Sequence, residues 1–417
     1  MSSADVTGSR RGFVLVTSAT IVAGVGGYAI TTILARGLGE SYGLFAIFWS
    51  ALYLVAGALS GIQQEVARAT QPRTVTPRRP ASVIVLALGA AAAAMVLVLV
   101  SSPLWVPTAL GSEGWALLPP LTAGAGCFVL MTAAAGTMYG THSWRVLAAF
   151  IVLDVAFRLL LVCILLPLGV GVVGLAWAAV VPYGLVLLVV VLPAWRTLFA
   201  SSQLDVSYRA VTANVVRTVA AAASTAVIVS GFPLLIGFSS AGDDARMVSA
   251  VVFALTLTRA PIVVSTLSLQ GYLLVQFRDH RASATRLMLR LFALLLLAAV
   301  LLAALAWWLG ADAIVWLAGE DFRLPGWYVA ALVGTSVATG WIMVAGTAAL
   351  ARGLHGGYSA GWVLTAIVAV VIMMLPIDLL VRSTLALGIA PLVGLAVHIL
   401  ALLRRRRRLE LADPEVQ

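Results

Sequence analysis

Residues 247–275 read MVSAVVFALTLTRAPIVVSTLSLQGYLLV. Nearly every residue is apolar, and the stretch exceeds the roughly 20 residues needed to cross a bilayer. Arg259 lies near the middle, followed two positions later by Pro261, which removes a backbone donor and loosens a helix. An arginine at that depth costs about 2.5 kcal/mol or more, so we expect it to face a water-filled or protein-lined cavity. Arg259 therefore either holds an anion that passes through such a cavity or pairs with a buried carboxylate for structure alone.

The composition is that of a polytopic membrane protein. The 417 residues are 62% hydrophobic and 10% charged, whereas soluble domains average about 25% charged. Cys127, Cys163 and the four histidines have no spacing typical of a disulfide or a metal site. No Walker loop is present, and the sequence predicts no cofactor, no metal, no catalytic residue and no nucleic-acid partner. We expect a multi-pass protein of the cell membrane that is not an enzyme.

The distribution of arginine predicts the topology. Apolar runs lie at about 13–34, 42–63, 82–106, 116–138, 146–166, 171–193, 213–238, 247–275, 287–309, 327–350, 358–380 and 384–403. With the N-terminus inside, most arginines fall in cytoplasmic segments, as the positive-inside rule requires. The fold class is therefore an all-α polytopic membrane protein with twelve transmembrane helices in two six-helix bundles and cytoplasmic N- and C-termini.

Two halves of six helices follow from the linker at about 194–212. We predict an N-terminal lobe of residues 1–200 and a C-terminal lobe of residues 201–417, related as parallel repeats with a central cavity between them. The basic tail from Arg404 to Arg408 ends the second lobe and attracts anionic lipid headgroups. The aspartates of the outside loops, including Asp243 and Asp244, are expected to be solvated.

Small residues mark faces on which helices pack closely. Gly57 and Gly61 form one GxxxG pair, and Gly357 and Gly361 form another. Such pairs let two membrane helices approach each other. They also permit bending during gating, which is the alternative role.

Charged and polar residues inside the apolar runs are the candidate substrate-binding residues. Asp154 and Arg158 are four apart and share one helix face, so they either neutralise each other or release Arg158 to a substrate. Arg217 lies early in its helix, where it binds substrate or reaches the interface. Gln270 lies three turns beyond Arg259 and extends a polar track toward the cytoplasm.

The balance of these charges indicates the sign of the cargo. Three arginines at membrane depth (Arg158, Arg217 and Arg259) accompany one aspartate. A cationic cavity suits phosphate or diphosphate, which arginine binds through two parallel hydrogen bonds. A transporter of cations should instead carry intramembrane Asp and Glu.

The stretch 34–70, LARGLGESYGLFAIFWSALYLVAGALSGIQQEVARAT, resembles the first hairpin of polysaccharide flippases, the Wzx-like members of the MOP exporter superfamily. The matching positions are Ala35, Arg36, Leu38, Gly39, Tyr42, Gly43, Leu44, Phe45, Gly61 and Ala67 to Ala69. The resemblance implies a V-shaped fold with alternating access. It implies a cell-surface polysaccharide or lipopolysaccharide precursor, a polyprenyl-diphosphate-linked saccharide, moved from the cytoplasmic to the outer leaflet. Glycosyltransferases or a polymerase of the same pathway are the implied protein partners, beside membrane lipids.

Two alternatives stay open. Many such flippases have fourteen helices, whereas this sequence predicts twelve, as in the multidrug exporters of the same superfamily; a multidrug or cation antiporter is therefore the second hypothesis. A membrane-bound polysaccharide polymerase or ligase is the third. Such enzymes usually carry a large outer loop with catalytic Arg or His, and the outer loops here are short and lack histidine.

Overall fold

The computed structural model describes residues 3–70, 81–199, 204, 207–240, 242–279 and 283–412. Most of these residues are helical, and none of them lies in a strand. Residues 71–80, with the predicted cytoplasmic Arg73, Arg78 and Arg79, lie outside them, as do the side chains of residues 406–408 in the basic tail. An all-helical architecture is what hydrocarbon demands, because a helix satisfies its own backbone hydrogen bonds.

Most residues of each apolar run lie on helix; the run at 171–193 continues from the sixth helix into a π-helix at Leu187–Val191, and the run at 358–380 extends beyond a helix end at Met373. The helices are α1 (Ser3–Leu38), α2 (Tyr42–Ala69), α3 (Val83–Leu110), α4 (Gly114–Gly140), α5 (Trp144–Leu165), α6 (Gly171–Val186), α7 (Trp195–Phe199), α8 (Tyr208–Val229), α9 (Phe232–Ser239), α10 (Ala245–Asp279), α11 (Ala284–Ala318), α12 (Gly326–Ala351), α13 (His355–Met373) and α14 (Leu379–Ala412). Among the described residues, nine stretches are long and apolar enough to cross a membrane, and one of them, 14–69, contains both α1 and α2. The protein is therefore a multi-pass membrane protein, while the total of twelve spans and the cytoplasmic termini stay predictions.

The run predicted at 213–238 is not one helix. It breaks between α8, which ends at Val229, and α9, which begins at Phe232, because Pro233 has no N–H to donate to the carbonyl of Val229. Ser50 of α2 compensates for the break: its hydroxyl donates to the carbonyl of Ser230 and accepts the N–H of Leu234 at 3.1 Å. By contrast α10 is continuous through Pro261.

The described helices form two compact units, 1–238 and 239–417. In the first unit α2, α3 and α6 each pack on α4; in the second, α10, α11 and α14 each pack on α12. The pairs α5 with α6 and α13 with α14 complete the correspondence. This is the pattern that a repeat of six spans would produce, with α4 and α12 as the central helix of each copy.

Helix α8 is the exception to this correspondence. It makes its main contacts with α2, within the first unit. The contacts therefore divide the chain after residue 238, one apolar run later than the linker at about 200 that separates the predicted lobes 1–200 and 201–417. The predicted repeat describes the order of six spans in each half of the chain, whereas the two units are defined by which helices touch. The six-plus-six repeat therefore stays a prediction.

Glycine brings α2 and α8 together. A Cβ on Gly61 would lie 2.5 Å from the backbone of Thr218 and Val219, and one on Gly57 would lie 2.7 Å from the Cβ of Ala226. The second GxxxG pair does the same between α13 and α14, because a Cβ on Gly357 would meet Ala401 at 2.7 Å. Both motifs therefore lie at helix–helix contacts, as the packing interpretation predicts.

The substitution Gly61→Ala should destabilise the protein by about 1–3 kcal/mol, because the added methyl group overlaps backbone atoms that cannot move aside. The matched control is Gly24→Ala on α1, where nothing lies within 4 Å of the new Cβ and the gain in helix propensity is about 1 kcal/mol. Thermal unfolding of the purified variants in detergent measures both. Equal midpoints for the two variants would contradict the assigned α2–α8 contact.

Candidate substrate-binding site

Arg158 of α5 is buried and is hydrogen-bonded on several sides. Its Nη2 donates to Asp154 Oδ1 at 2.9 Å and to Oδ2 at 3.2 Å, which is the ion pair that their spacing of four predicts. Its Nε donates to the carbonyl of Ala179 on α6 at 3.1 Å, and its Nη1 lies 3.5 Å from the hydroxyl of Tyr53 on α2. One guanidinium thus joins three helices.

Aromatic rings enclose the same guanidinium. Its Cζ lies 5.0 Å from the ring centroid of Tyr183 and 5.7 Å from that of Trp49, both within cation–π distance. Trp49 also stacks on Tyr53, with centroids 5.4 Å apart. These contacts favour the alternative in which Asp154 and Arg158 neutralise each other. The Asp154 side chain keeps 22% of its surface exposed, so the pair can be reached only from the carboxylate side, and a substrate role for both residues stays a prediction.

Arg259 of α10 has the opposite environment. Only 7% of its surface is exposed, yet no carboxylate among the described residues pairs with it. Its Nη2 makes one long contact, 3.5 Å, with the Thr339 hydroxyl on α12, and its buried Nε has no hydrogen-bond acceptor among the described atoms. A buried charge without a counter-charge costs several kcal/mol. Removing one partner of a buried ion pair leaves such a charge and destabilises a protein by a similar amount.

Further polar side chains share the face of α10 that carries Arg259. Thr266 lies seven residues on and Gln270 eleven residues on, which places the three close to one line along the helix. Thr266 is buried and donates to the carbonyl of Ile262 at 2.7 Å, while Gln270 is half-buried. The stripe faces α12, since a Cβ on Gly340 would lie 3.6 Å from the Thr266 hydroxyl. The positions fit the expected polar track, and the binding role of Gln270 stays a prediction.

Arg217 is exposed on α8 and joins neither Arg158 nor Asp154 through any described contact. One turn earlier, the Asn214 side chain donates to the Glu65 carboxylate at 2.9 Å. The role of Arg217 in binding substrate therefore rests on sequence alone.

The sequence did not reveal two ion pairs. Glu65 is buried and accepts hydrogen bonds from Arg68 Nε at 2.8 Å and Nη2 at 2.7 Å, in addition to that from Asn214. The prediction that Asp243 is merely solvated was wrong: its carboxylate accepts a hydrogen bond from buried Arg382 of α14. The two residues are 139 positions apart, so no local pattern could connect them.

The remaining carboxylates of the predicted outer loops are exposed. Arg323 donates through Nε to Glu320 at 2.8 Å and through Nη1 to Asp312 at 3.4 Å. The hydrogen bond from Arg323 lowers the pKa of Glu320. Neither here nor elsewhere in the described part of the chain do His, Cys, Asp and Glu cluster in a way that would hold a metal ion.

Relatives in Mycobacterium tuberculosis define the family. The chain is 30% identical over 404 residues to the uncharacterized protein Rv3630, covering 93% of this chain and 91% of that protein. It is 30% identical over 410 residues to the uncharacterized protein Rv1510, covering 95% and 93%. The chain belongs to the family of these two proteins. No protein-family model matches it.

Solved structures show which fold this chain shares. The lipid II flippase MurJ in an inward closed conformation superposes with a TM-score of 0.71 at 11% identity, over 93% of this chain and 87% of that one. An inward-facing multidrug resistance MATE transporter of the MOP superfamily gives 0.65 at 15% identity, over 94% and 96%. A MOP superfamily transporter from Pyrococcus furiosus, described as having a binding pocket of reverse polarity, gives 0.56 at 16% identity, over 95% of both chains. The fold is that of MOP superfamily transporters and flippases.

The double substitution Asp154→Asn with Arg158→Gln should be milder for folding than Asp154→Asn alone, because the single change leaves a buried guanidinium without its carboxylate. Breaking such a pair costs about 3–5 kcal/mol. Thermal unfolding of the two single variants and the double variant forms a cycle that isolates the interaction. Additive losses would show that the pair is not coupled, and loss of transport in a double variant of normal stability would assign the pair to substrate contact.

Proposed function

We propose that this member of the Rv3630 and Rv1510 family is a flippase that moves a polyprenyl-diphosphate-linked saccharide, a precursor of cell-surface polysaccharide, from the cytoplasmic to the outer leaflet of the cell membrane by alternating access. Arg259 is the observation that carries the proposal. It is a buried guanidinium on a long apolar helix, and no carboxylate among the described residues neutralises it.

The geometry of Arg259 suits a diphosphate. Nε and Nη2 lie on the same edge of the guanidinium and together form the two-pronged donor that grips phosphate oxygens. In this structure Nε has no described acceptor, and Nη2 has only the long contact to Thr339. An anion on that edge would supply the counter-charge and the acceptors that the surrounding helices lack.

The carboxylates at membrane depth argue against a cationic cargo. In the described helices, Asp154 is held by Arg158, and Glu65 is held by Arg68 and Asn214. A cationic drug would have to compete with a guanidinium for either one. A multidrug or cation antiporter is the second candidate, since MATE transporters share the fold, but charge favours the anion. The Pyrococcus furiosus transporter, which has a similar fold and is described as having a binding pocket of reverse polarity, is a precedent for a change of pocket polarity within one fold.

Two further observations support a saccharide and a lipid carrier as parts of the substrate. The stretch 34–70 resembles the first hairpin of Wzx-like polysaccharide flippases. The MurJ structure, whose description names lipid II, shares the fold over most of this chain. Glycosyltransferases or a polymerase of the same pathway would then supply the cargo or consume it, and the chain itself would hydrolyse no nucleotide.

The substitution Arg259→Ala should abolish export of the cell-surface glycan while leaving membrane insertion intact, because removing an unpaired charge relieves a cost to stability and removes the phosphate donor. Arg259→Lys keeps the positive charge but cannot donate two parallel hydrogen bonds to a phosphate, so it should retain only part of the export. The exposed Arg290 on α11 provides the matched control, Arg290→Ala. Surface glycan and the lipid-linked precursor that accumulates inside the cell are measured together, and normal export by Arg259→Ala would remove Arg259 from the mechanism.

Reconstitution in lipid vesicles should separate the two transport hypotheses. The purified protein should move a fluorescent lipid-linked diphosphate saccharide between leaflets and release no protons when cationic drugs are added. Proton flux stimulated by such drugs, without any movement of the lipid-linked saccharide, would instead assign the protein to antiport.

A further inference from the structure

A buried histidine lies where α13 packs on α14. His398 of α14 has none of its surface exposed. Its ring is parallel to that of Tyr358 on α13, with centroids 5.8 Å apart, and edge-on to that of Trp362, at 6.3 Å. Two glycines make room for the ring, because a Cβ on Gly361 of α13 would overlap Nε2 and one on Gly346 of α12 would lie 3.1 Å from Cε1. Three helices of the second unit therefore close around one imidazole.

The hydrogen bond of the ring indicates which nitrogen carries the hydrogen. Nε2 of His398 lies 3.0 Å from the carbonyl of Tyr358. A carbonyl only accepts, so Nε2 carries the hydrogen and Nδ1 has a lone pair. Nδ1 is buried and has no hydrogen-bond partner among the described atoms. It is therefore the atom at which a neutral His398 takes up a second proton.

The helices that pack on α14 bring no carboxylate to this ring. The main contacts of α14 are with α13 and α12, and neither sequence contains Asp, Glu, Lys or Arg. Tyr358 is the titratable group that faces His398 from α13, and His355 begins the same helix three residues earlier. From α12, the backbone carbonyl of Ile342 interacts with the ring as a hydrogen-bond acceptor. A proton on Nδ1 therefore has a carbonyl beside it but no counter-charge on these two helices.

The charged residues of α14 itself do not supply a counter-charge either. Arg404 follows His398 by six residues, about 9 Å along the helix, and begins the basic tail. Arg382 precedes it by sixteen residues, about 24 Å. The one carboxylate of the helix, Glu410, follows by twelve residues, about 18 Å. In the packed arrangement an imidazolium would be a buried cation without a carboxylate partner, which a protein interior disfavours.

The same contact leaves a second polar group unsatisfied. Trp362 is 1% exposed, and its Nε1, an N–H donor, has no acceptor among the described atoms. A buried donor or acceptor without a partner is disfavoured, and water would satisfy both Trp362 Nε1 and His398 Nδ1. The packed contact of α13 with α14 is therefore less stable than one whose polar groups are all satisfied, and entry of water between the helices is correspondingly easier.

Water has room close to the ring. A cavity of about 90 Å³ opens among α11, α12 and α14, lined in part by Ile399, Thr285 and Arg352. Ile399 is the residue after His398. Since the wall is partly polar and one water needs roughly 10–15 Å³, several waters fit. The arginine distribution predicts that these helix ends lie on the cytoplasmic side, which gives a proton a short route to the ring.

We propose that His398 is a proton-binding site and that proton uptake at Nδ1 opens the contact between α13 and α14 to water. In the packed arrangement the ring is neutral and enclosed. Once both nitrogens carry hydrogen, the imidazolium is stable only where water joins the carbonyl of Ile342 as an acceptor. Histidine is the side chain that changes charge between about pH 5 and 8, so acidification favours the open arrangement. The inference concerns the second unit alone and does not depend on the cargo.

Nitrogen NMR of the histidine ring, in lipid nanodiscs, tests the proton site. Labelling with ¹⁵N-histidine distinguishes a ring with one proton from a ring with two. Substitution of His142, His280 and His355 by glutamine leaves His398 as the one histidine of the chain. At about pH 8 its Nδ1 should be unprotonated and its Nε2 protonated, whereas at about pH 5 both should carry hydrogen.

Electron paramagnetic resonance tests the opening through the distance between α13 and α14. Spin labels are attached at Ile367→Cys on α13 and Leu400→Cys on α14, both at exposed positions, after Cys127 and Cys163 are replaced by alanine. A longer distance should appear as the pH falls. The ratio of the long to the short population should rise by up to about tenfold per pH unit, which is the slope of one bound proton.

Two variants separate His398 from the other histidines in the distance measurement. His398→Gln keeps an N–H donor for the carbonyl of Tyr358 but takes up no proton, so the short distance should persist at every pH. The matched control is His142→Gln, at an exposed histidine of the loop between α4 and α5. This control should respond to pH as the wild-type helices do.

Three outcomes would overturn the proposal. A His398 ring that keeps a single proton down to about pH 5 would exclude the proton site. A second proton on the ring without any change in the label distance would exclude the opening. A pH response in His398→Gln equal to that of the wild type would assign the movement to another group. The first two outcomes are read on proteins that keep His398, so they decide the proposal even where His398→Gln does not fold.

Discussion

A polar group at membrane depth has no water to complete its hydrogen bonds, so the protein itself has to supply the partners. Most polar groups in the described helices follow this rule. Threonine hydroxyls donate back to the carbonyl one turn earlier, as Thr137 does to Ala133 at 2.9 Å. Ser50 serves both sides of the break between α8 and α9, and Arg158 has Asp154, a carbonyl and two aromatic rings. Arg259 departs from the rule, and for that reason it is the centre of the proposed substrate site.

Packing in each unit depends on one central helix with small residues. Lipid tails are as apolar as leucine, so helices in a bilayer gain little from hydrophobic burial and associate through close contact instead. In α4, a Cβ on Gly136 would lie 2.8 Å from the carbonyl of Gln63; in α12, a Cβ on Gly340 would lie 3.2 Å from both Ile262 and Leu295. Many large apolar side chains also lie on the outer surface, as does Leu104 on α3, which is 82% exposed. Close approach at small residues is therefore a feature that the central helices of both units share.

Fold alone does not identify the cargo, because the same architecture occurs in a lipid II flippase and in multidrug transporters. What differs between an anionic and a cationic cargo is the sign of the charge left unpaired at membrane depth. Here the carboxylates of the described membrane helices are paired, and the buried guanidinium of Arg259 has no carboxylate partner among the described residues. This difference is our ground for proposing a phosphate-bearing substrate, and the resemblance of the first hairpin is our ground for proposing a saccharide.

Sequence alone determined where the helices lie and which of their faces carry small residues. Hydropathy and GxxxG spacing are properties of neighbouring residues, so the apolar runs and the close helix packing at Gly57 and Gly61 could be predicted without coordinates. The spacing of Asp154 and Arg158 predicted their ion pair for the same reason. Tertiary structure decided what each charge meets: that Arg158 is enclosed, that Arg259 has no carboxylate, and that Asp243 pairs with Arg382. It also decided that α8 packs on α2. These contacts join residues far apart in the chain, and the energy of a buried charge depends on its neighbours in space, which no local pattern of residues records.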